Sequence, residues 1–350
     1  MKKFLIYGSY GYTGQLIAEH AVQQGLKPIL AGRDEKRLRA QAESLGLEHI
    51  AFSLDNATAL TSALNEVDAV LHCAGPFVLT FRQMAEACIA NGKHYVDISG
   101  EIEGFEALHA MDEKAKQAGV MLLPGAGFDV VPSDCLIKYL SNQLRTATHA
   151  RLYIRSVRGG VSRGTAQSGI ENMHRQGRIR RAGEIVQVPP AWQVKEIDFG
   201  RGPVKLVSIG WGDVSTAYHS TGIPNIETYM AFPPVMINAL YTSRVIGPLL
   251  YLQPVKEFLK WLIRLFLPPG PSPERNENGF SLMIAEVSNG EKTLRAKLRT
   301  PEGYRLTALT SVEIMKRILS SDHEPGFYTP STAFGPDFIL KFPGVEREDL

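Results

Sequence analysis

The sequence predicts an α/β protein in which a doubly wound parallel sheet is followed by a second, α+β domain with a mixed sheet. Two observations indicate the first domain: short apolar runs alternate with segments of helical periodicity over residues 1–133, and glycine follows the first apolar run at once. A third observation indicates the second domain, because after Ser133 short strand-like runs separated by Gly and Pro replace that alternation. The predicted domains are therefore 1–133 and 134–319.

Six strands and the helices between them are expected in the first domain. Runs of apolar residues bounded by Gly or Asp predict the strands, and apolar residues spaced at i, i+3 and i+4 predict the helices. The predicted strands are Phe4–Tyr7, Pro28–Ala31, His49–Leu54, Ala69–Cys73, Tyr95–Ile98 and Val120–Leu123. The predicted helices are Gly14–Gln24, Glu35–Leu45, Ala57–Leu64, Phe81–Asn91 and Phe105–Ala118.

The second domain is expected to be richer in strands. Strand-like runs extend from Ala150 to Ser168 and from Val186 to Thr228. Further strands are predicted at Phe280–Val287, Thr293–Lys297 and Arg305–Ala308, with a turn at Ser288-Asn289-Gly290 and a helix at Val312–Leu319.

Composition excludes several classes of function. The 350 residues carry a formal charge of +2, so no global basic excess indicates nucleic acid. Three cysteines lie far apart without a CxxC pair, and no HExxH motif occurs, so neither a disulfide framework nor a metal site is expected. No uninterrupted apolar run approaches the ~18 residues that a membrane-spanning helix needs. These features predict a cytoplasmic protein.

A glycine motif directly after the first predicted strand indicates a dinucleotide site. Gly8 permits a tight turn, Gly11 lets the backbone approach a pyrophosphate, and Gly14 lets helix and strand pack closely. The amino terminus of the following helix presents free N–H groups to phosphates. This context predicts a Rossmann-type domain whose phosphate contacts come from Gly8, Ser9, Gly11, Tyr12, Thr13 and Gly14.

The end of the second predicted strand favours NADP over NAD. NAD-binding proteins usually carry an acid there, which accepts a hydrogen bond from the ribose 2′-hydroxyl, whereas an arginine accommodates a 2′-phosphate. Here Arg33 follows the strand at once, and Arg37 lies one helical turn later. Asp34 is interpreted as the cap of the helix that begins at Glu35.

Ligands of such sheets bind at the carboxyl ends of the strands, so the other strand tips supply further candidates. The predicted cofactor contacts there are Asp55, Ala74, Gly75, Pro76, Ser99 and Gly100. The candidate catalytic acids or bases are Asp97, Glu101 and Asp129, although Asp97 also suits a role in holding a loop.

Four blocks of sequence resemble the saccharopine dehydrogenase-like oxidoreductases, in the branch that contains the mycobacterial trans-acting enoyl reductases. The blocks are Gly8–Gly14, Cys73–Phe77, Tyr95–Glu101 and Gly127–Asp134, and weaker similarity follows at Gly164–Ser168 and Pro325–Gly335. The resemblance implies a Rossmann domain, a mixed-sheet second domain, and a C-terminal segment, expected at 320–350, that returns to the first. It leaves the substrate open.

The predicted function is hydride transfer between NADP(H) and a C=C, C=N or C=O bond of an apolar or lipid-like substrate. None of the twelve tyrosines has a lysine four residues on, which argues against the short-chain dehydrogenases. Two alternatives stay open: an imine reductase of the saccharopine type, and a cofactor-binding protein without catalysis that orders itself for a protein or membrane partner.

Two features of the second domain indicate partners. Eight arginines and one acid lie between Arg151 and Arg181, which fits either a solvated basic face or the recognition of an anion. The pattern of Val255–Leu267 predicts a helix with a narrow polar stripe on an otherwise apolar surface. Such a helix suits a homodimer interface, an apolar substrate or a membrane surface.

Overall fold

The computed structural model describes residues 2–172, 177–234, 236–238, 240–242, 244 and 252–350. The chain divides into two compact units. Unit 1 comprises residues 1–131 and 304–333, and unit 2 comprises residues 132–303 and 334–350.

Unit 1 is built around a parallel sheet flanked by helices. Its strands are β1 (Phe4–Tyr7), β2 (Ile29–Gly32), β3 (His49–Ala51), β4 (Ala69–His72), β5 (His94–Asp97), β6 (Met121–Leu123) and β15 (Gly326–Phe327). Its helices are α1 (Tyr12–Gln23), α2 (Glu35–Leu45), α3 (Ala57–Asn65), α4 (Phe81–Ala90), α5 (Ile102–His109), α6 (Asp112–Ala118), α12 (Gly303–Leu319) and α13 (Pro330–Phe334). The strand order is β15-β6-β5-β4-β1-β2-β3, and every neighbouring pair is parallel.

This arrangement confirms the predicted fold class. The central strands β1 and β4 are buried along their whole length, because helices cover both faces of a parallel sheet. The chain runs from β1 outward through β2 and β3, then crosses back to β4. The direction of winding therefore reverses between β1 and β4, and ligands of doubly wound sheets bind outside such a point.

The predicted helix Phe105–Ala118 is two helices in the structure. Helix α5 ends at His109 and α6 begins at Asp112, with Met111 between them and 7% exposed. The break turns the Met111 side chain into the core beneath the sheet, which a continuous apolar periodicity does not reveal.

The C-terminal return to unit 1 begins and ends earlier than expected. It spans 304–333 rather than 320–350, because α12 hydrogen-bonds to the loop after β6 while β16 (Glu346–Asp349) pairs with β14 (Thr293–Pro301) of unit 2. The strand predicted at Arg305–Ala308 is wrong, since these residues form the first turns of α12. Their apolar side chains are buried at helical spacing together with Val312 and Met315.

Unit 2 holds the mixed sheet that the sequence predicts. Its strands are β7 (His149–Val157), β8 (Gly177–Arg181), β9 (Glu184–Val188), β10 (Val194–Asp198), β11 (Pro203–Ile209), β12 (Asn225–Ala231), β13 (Phe280–Ser288), β14 (Thr293–Pro301) and β16. The helices are α7 (Val131–Gln143), α8 (Arg163–Asn172), α9 (Asp213–Thr221), α10 (Gln253–Phe266) and α11 (Pro273–Asn278). Strands β12 and β7 pair in parallel, whereas the other pairs are antiparallel.

Two of the strand-like stretches predicted here contain helices. Helix α8 occupies most of the second half of Ala150–Ser168, and α9 interrupts Val186–Thr228. The amphipathic helix expected at 255–267 is present as α10. Among the described residues, no helix is long and apolar enough to cross a membrane.

Candidate functional site

The predicted cofactor loops meet where the winding of the unit 1 sheet reverses. Gly8 follows β1 with φ +85°, a left-handed conformation that glycine adopts without strain. A Cβ on Gly8 would lie 2.9 Å from the backbone nitrogen of Ala74, which follows β4. The loops after β1 and β4 are therefore in direct contact, and both positions require a small residue.

The two other glycines of the motif differ in what restricts them. A Cβ on Gly14 would lie 2.5 Å from the Gly8 carbonyl oxygen, so close packing within the protein demands glycine there. A Cβ on Gly11 would meet only that same oxygen, at 3.2 Å. Gly11 is the N-cap of α1, and no side chain caps the helix. An amino terminus whose N-cap contributes no side-chain hydrogen bond suits a phosphate site.

Ser9, Tyr12 and Thr13 take different positions around this turn. The Ser9 side chain is fully buried and donates a hydrogen bond to Gln41 Oε1 at 2.8 Å, and the Ser9 N–H donates to the Ala31 carbonyl oxygen at 3.3 Å, so Ser9 holds the turn from within the protein. Tyr12 and Thr13 open α1 and are partly exposed. The ring of Tyr12 packs edge-on against Tyr304 at a centroid distance of 5.1 Å.

Tyr10 and two arginines form a cluster beside the tip of β2. Gly32 lies under the Tyr10 ring, since a Cβ there would be 2.5 Å from a ring carbon. The Tyr10 hydroxyl accepts a hydrogen bond from the Arg33 backbone N–H at 3.2 Å. The Arg37 guanidinium stacks over the same ring at 4.6 Å and donates to the Tyr10 carbonyl oxygen at 3.0 Å. Sequence reasoning missed the roles of Tyr10 and Gly32, because their contact joins residues 22 positions apart in the chain.

Charge at the tip of β2 is positive, as expected for a 2′-phosphate site. The Arg33 side chain is exposed, and no hydrogen bond or ion pair of its guanidinium occurs within the described residues. Asp34 caps α2 by accepting from the Arg37 backbone N–H at 3.1 Å, which confirms its interpretation as a cap. Asp55 is exposed beyond β3 and accepts from Gln83 at 3.3 Å.

The Ala74-Gly75-Pro76 turn is held from behind by Thr80. The Thr80 hydroxyl donates to the Ala74 carbonyl oxygen at 2.7 Å and contacts the Nε2 atom of the buried His72 at 2.9 Å. These bonds fix the backbone of the turn that touches Gly8.

Asp97 is bound on both carboxylate oxygens. Oδ1 accepts from the backbone N–H groups of Ser99 and Gly125 at 2.9 and 3.0 Å, and Oδ2 accepts from the Tyr95 hydroxyl at 2.7 Å. Burial raises the pKa of Asp97 to about 6, and the three hydrogen bonds oppose that rise. Asp97 thus ties the loop after β5 to the loop after β6, which is a positioning role.

Glu101 is occupied in a similar way. Its carboxylate accepts from the backbone N–H groups of Phe77 and Val78 at 3.1 and 2.6 Å, and so caps the 3₁₀ turn Phe77–Leu79. Its own N–H donates to the Ser99 hydroxyl oxygen at 3.0 Å. Burial raises the pKa of Glu101. Ser99 and Glu101 therefore support the loops around the site, and Glu101 has little capacity left to exchange a proton with a ligand.

Asp129 differs from the other two acids. Its Oδ1 atom is buried and has no hydrogen-bond partner among the described residues. Burial raises the pKa of Asp129 from 3.8 to about 7, so near neutral pH the protonated and charged forms coexist. A Cβ on Gly100 would lie 3.1 Å from Asp129 Oδ2, which explains glycine at that position. Of the three predicted acids, Asp129 is the one with an unengaged oxygen.

Helix α12 holds the Asp129 loop in place. Thr307 Oγ1 accepts from the Phe128 N–H at 2.9 Å, and Thr310 donates to the Ala126 carbonyl oxygen at 2.7 Å. A Cβ on Gly127 would lie 2.8 Å from the Thr307 methyl group. These contacts join parts of the chain about 180 residues apart, so sequence proximity could not reveal them.

Other chemistries find less support in unit 1. Burial raises the pKa of the Cys73 thiol far above its usual range, which disfavours the thiolate that a nucleophile needs. Within the ranges that the structure describes, no group of three or more His, Cys, Asp or Glu side chains is arranged to hold a metal ion.

This chain is similar in sequence to several known proteins. Residues 4–123 match the model of the saccharopine dehydrogenase NADP-binding domain. The chain is 27% identical over 213 residues to the saccharopine dehydrogenase-like oxidoreductase of Rattus norvegicus, covering 54% of this chain and 50% of that protein. It is 26% identical to a lipid droplet localized protein of Caenorhabditis elegans, over 55% and 53% of the two chains.

A bacterial relative and a solved structure complete the comparison. A protein of Mycobacterium tuberculosis named as a trans-acting enoyl reductase is 31% identical over 48% of this chain and 43% of its own. The matches thus span about half the length of the curated relatives. The apo saccharopine dehydrogenase (L-Glu forming) of Saccharomyces cerevisiae, 12% identical, covers both chains fully with a TM-score of 0.66 and so shows the shared fold. The glycine turn and the amino terminus of α1 lie within the matched range, so residues 4–123 of this chain are similar to the saccharopine dehydrogenase NADP-binding domains.

Proposed function

We propose that the protein is an NADP(H)-dependent oxidoreductase that acts on a C=C, C=N or C=O bond of an apolar or lipid-like substrate. The observation that carries the proposal is that one edge of the sheet holds both a helix amino terminus without a side-chain cap, that of α1, and an acid, Asp129, whose Oδ1 has no partner among the described residues. The residues present fit the cofactor, because Gly8, Gly11 and the first N–H groups of α1 suit a pyrophosphate.

Selection of NADP(H) is assigned to Arg33 and Arg37. An arginine fork binds a phosphate through two charge-assisted hydrogen bonds. Stacking on Tyr10 fixes Arg37, whereas the Arg33 side chain is exposed and available for a phosphate. Asp34, the acid closest to this tip, is engaged in capping α2 and competes little for the two cations.

Asp129 is proposed as the proton donor or acceptor. When bound, the cofactor supplies or accepts a hydride at its nicotinamide ring. Reduction of a polar double bond also requires a proton at the atom that gains negative charge, and a carboxyl group whose pKa lies near the working pH serves that purpose best. Asp97 and Glu101 hold the loops around Asp129, so their part is positioning.

An apolar substrate is favoured by two independent observations. Relatives of this chain carry names that refer to an enoyl reductase and to lipid droplets. In addition, exposed large hydrophobic side chains are concentrated in residues 236–266 of unit 2. Both indicate an environment of acyl chains rather than of free amino acids.

The test is transfer of a labelled hydride. Purified protein is mixed with NADPH carrying deuterium at carbon 4 of the nicotinamide ring and, in separate reactions, with a long-chain trans-2-enoyl thioester, a long-chain ketone and a cyclic amino-acid imine. Mass spectrometry is expected to find deuterium in one of the two long-chain products. Asp129→Asn is expected to lower kcat by about 10²–10⁴-fold while NADPH binding persists.

Two outcomes would contradict the proposal. Labelling of the amino-acid imine alone would establish the saccharopine-type alternative. Tight NADPH binding without transfer to any substrate class, in a folded protein, would favour the role of a cofactor-binding protein without catalysis. The exposed Glu43→Gln variant serves as the matched control, since it neutralises an acid on α2 that is not among the predicted cofactor contacts.

A further inference from the structure

Helix α10 of unit 2 is oriented opposite to an ordinary surface helix. Lys256, a charged residue, is its one fully buried side chain, with 5% exposed. Its aromatic and large aliphatic side chains are instead exposed: Phe258 by 57%, Trp261 by 51%, Leu265 by 57% and Phe266 by 76%. The helix therefore places Lys256 and Lys260 against the protein and leaves four large apolar side chains exposed to solvent.

Ion pairs with the antiparallel helix α8 hold α10 in this orientation. Lys256 and Lys260 both pair with Glu171 near the end of α8, Lys256 at 3.5 Å. At the other end, Arg163 at the start of α8 donates a side-chain hydrogen bond to the carbonyl oxygen of Leu267 and a backbone hydrogen bond to that of Pro269 at 3.1 Å. Because both lysines and the backbone that follows the helix are engaged with α8, the helix cannot rotate to bury its apolar side without breaking these bonds.

The exposed side chains form one continuous surface. Phe258, Trp261 and Leu265 lie at positions i, i+3 and i+7, which fall on one face of a helix. The rings of Phe258 and Trp261 stack at a centroid distance of 5.9 Å. Leu252, directly before the helix, is 52% exposed, and Met236 and Tyr241 upstream are also exposed. We call Phe258, Trp261, Leu265 and Phe266 the apolar ridge.

We propose that the apolar ridge docks the protein on a lipid surface. A second copy of the chain is the competing occupant, and area disfavours it. A helix of 14 residues is about 21 Å long and about 10 Å wide, so its face offers on the order of 200–300 Å², well below the roughly 800 Å² per partner of a stable interface. A lipid surface needs no complementary pocket, since an amphipathic helix lying in its plane inserts apolar side chains by roughly 5–10 Å.

The residue types in the ridge match the lipid interface. Tryptophan and phenylalanine place large apolar rings at the boundary between headgroups and acyl chains, where indole can keep its N–H hydrated. The cations of the polar stripe are already paired with acids: Lys256 and Lys260 share Glu171, and Glu257 lies 2.9 Å from Lys260 and 3.9 Å from Arg264. Insertion of apolar side chains, rather than attraction to anionic lipid, therefore provides the binding, and it should depend little on salt.

Flotation with vesicles of phosphatidylcholine tests the proposal. The wild-type protein should float with the vesicles at low and at high salt. Phe258→Glu/Trp261→Glu should lower the bound fraction at least about tenfold, because a charge must be carried into the interface. The matched control Leu340→Glu/Leu350→Glu introduces the same charge at two exposed apolar positions outside 236–266 and should float as the wild type does.

A second measurement monitors the ridge directly. In a variant with Trp192→Phe and Trp211→Phe, Trp261 is the remaining tryptophan. Its emission should shift to shorter wavelength when phosphatidylcholine vesicles are added, and NADPH binding in the same sample shows that the chain is folded. This readout does not depend on the glutamate variants.

Three results would overturn the inference. One is a folded wild-type protein that does not float and shows no emission shift. Another is flotation that the Phe258→Glu/Trp261→Glu pair leaves unchanged, which would assign binding to another surface. The third is a wild-type dimer in light scattering that becomes monomeric in that pair without any flotation, which would assign the ridge to a second copy.

Discussion

Residue types alone give Asp97, Glu101 and Asp129 equal standing, and what separates them is the use of their oxygens. Asp97 and Glu101 accept backbone hydrogen bonds from neighbouring loops, whereas Asp129 Oδ1 is buried without a partner in the described chain. Such a partner can come from any loop, as Gly125 does for Asp97 from 28 residues away. The sequence could therefore identify the three acids as catalytic candidates, but it could not show which of them has an unengaged oxygen.

The raised pKa of Asp129 makes stability depend on pH. The folded chain binds this proton more tightly than the unfolded chain, so the resulting stability is fully present below pH 4 and is lost as pH rises through about 7. The Asn side chain of the Asp129→Asn variant does not titrate, so this variant does not lose that stability as the pH rises. Its free energy of unfolding, relative to wild type, should increase by about 2–4 kcal/mol between pH 4 and pH 8 in urea titrations. A difference that stays constant with pH would show that the Asp129 carboxyl is not held neutral in the fold.

Arg33 should determine the choice between the two cofactors. Arg33→Ala should weaken NADPH binding by roughly 1.5–3 kcal/mol, about 10- to 150-fold, and leave NADH binding nearly unchanged. Titration of both cofactors by fluorescence measures the ratio. Arg39→Ala is the control, because Arg39 is an exposed arginine of α2 that pairs with Glu35 at 2.9 Å. An unchanged NADPH to NADH ratio in Arg33→Ala would refute the assignment.

The glycine turn and α1 function together as one structural unit. Gly11→Val should leave the fold intact, since a Cβ there meets one oxygen at 3.2 Å, yet it should abolish NADPH binding by filling the space before the helix terminus. Gly14→Ala should instead lower the melting temperature, because its Cβ would lie 2.5 Å from a carbonyl oxygen.

Calorimetry and thermal unfolding distinguish these two effects. Gly169→Ala in α8 is the control, since a Cβ there meets no atom within 4 Å. Normal NADPH affinity in folded Gly11→Val would show that phosphates do not bind at this turn.

The elements that the sequence predicted well are those with strong local signals. Strands β1, β2 and β4 of unit 1 are short, mainly apolar runs, and each is buried along its whole length in the parallel sheet. Strand β15 has two residues, Gly326 and Phe327, and is defined by its pairing with β6 rather than by its own pattern. Helix α8 contains two glycines and few apolar residues, so its stability comes from tertiary contacts such as those with α10.

Unit 1 is completed by residues 304–333, a segment from far along the chain. Gly326 has φ +120°, and a Cβ there would lie 2.7 Å from Asp112 Oδ1, the atom that accepts from the Phe327 N–H. Gly326→Val should detach β15 from β6 and destabilise unit 1 by about 1–3 kcal/mol.

Hydrogen exchange measures that detachment. Amides of Met121–Leu123 in β6 should exchange faster in Gly326→Val, while those of β13 in unit 2 keep their rates. Gly344→Val is the control at another glycine with positive φ, where a Cβ makes only an ordinary contact at 3.6 Å. If the β6 amides kept their wild-type rates, the returning segment would not be needed to stabilise that edge of the sheet.

The interrupted course of unit 1 has a consequence for the order of events on the ribosome. When the first 131 residues have emerged, the loop that carries Asp129 still lacks Thr307 and Thr310, and β6 lacks its neighbour β15. More than 170 residues of unit 2 must be translated before these partners arrive. The glycine turn is thus translated before unit 2, whereas the partners of the Asp129 loop are translated after it, so the two parts of the proposed site are completed at different stages of translation.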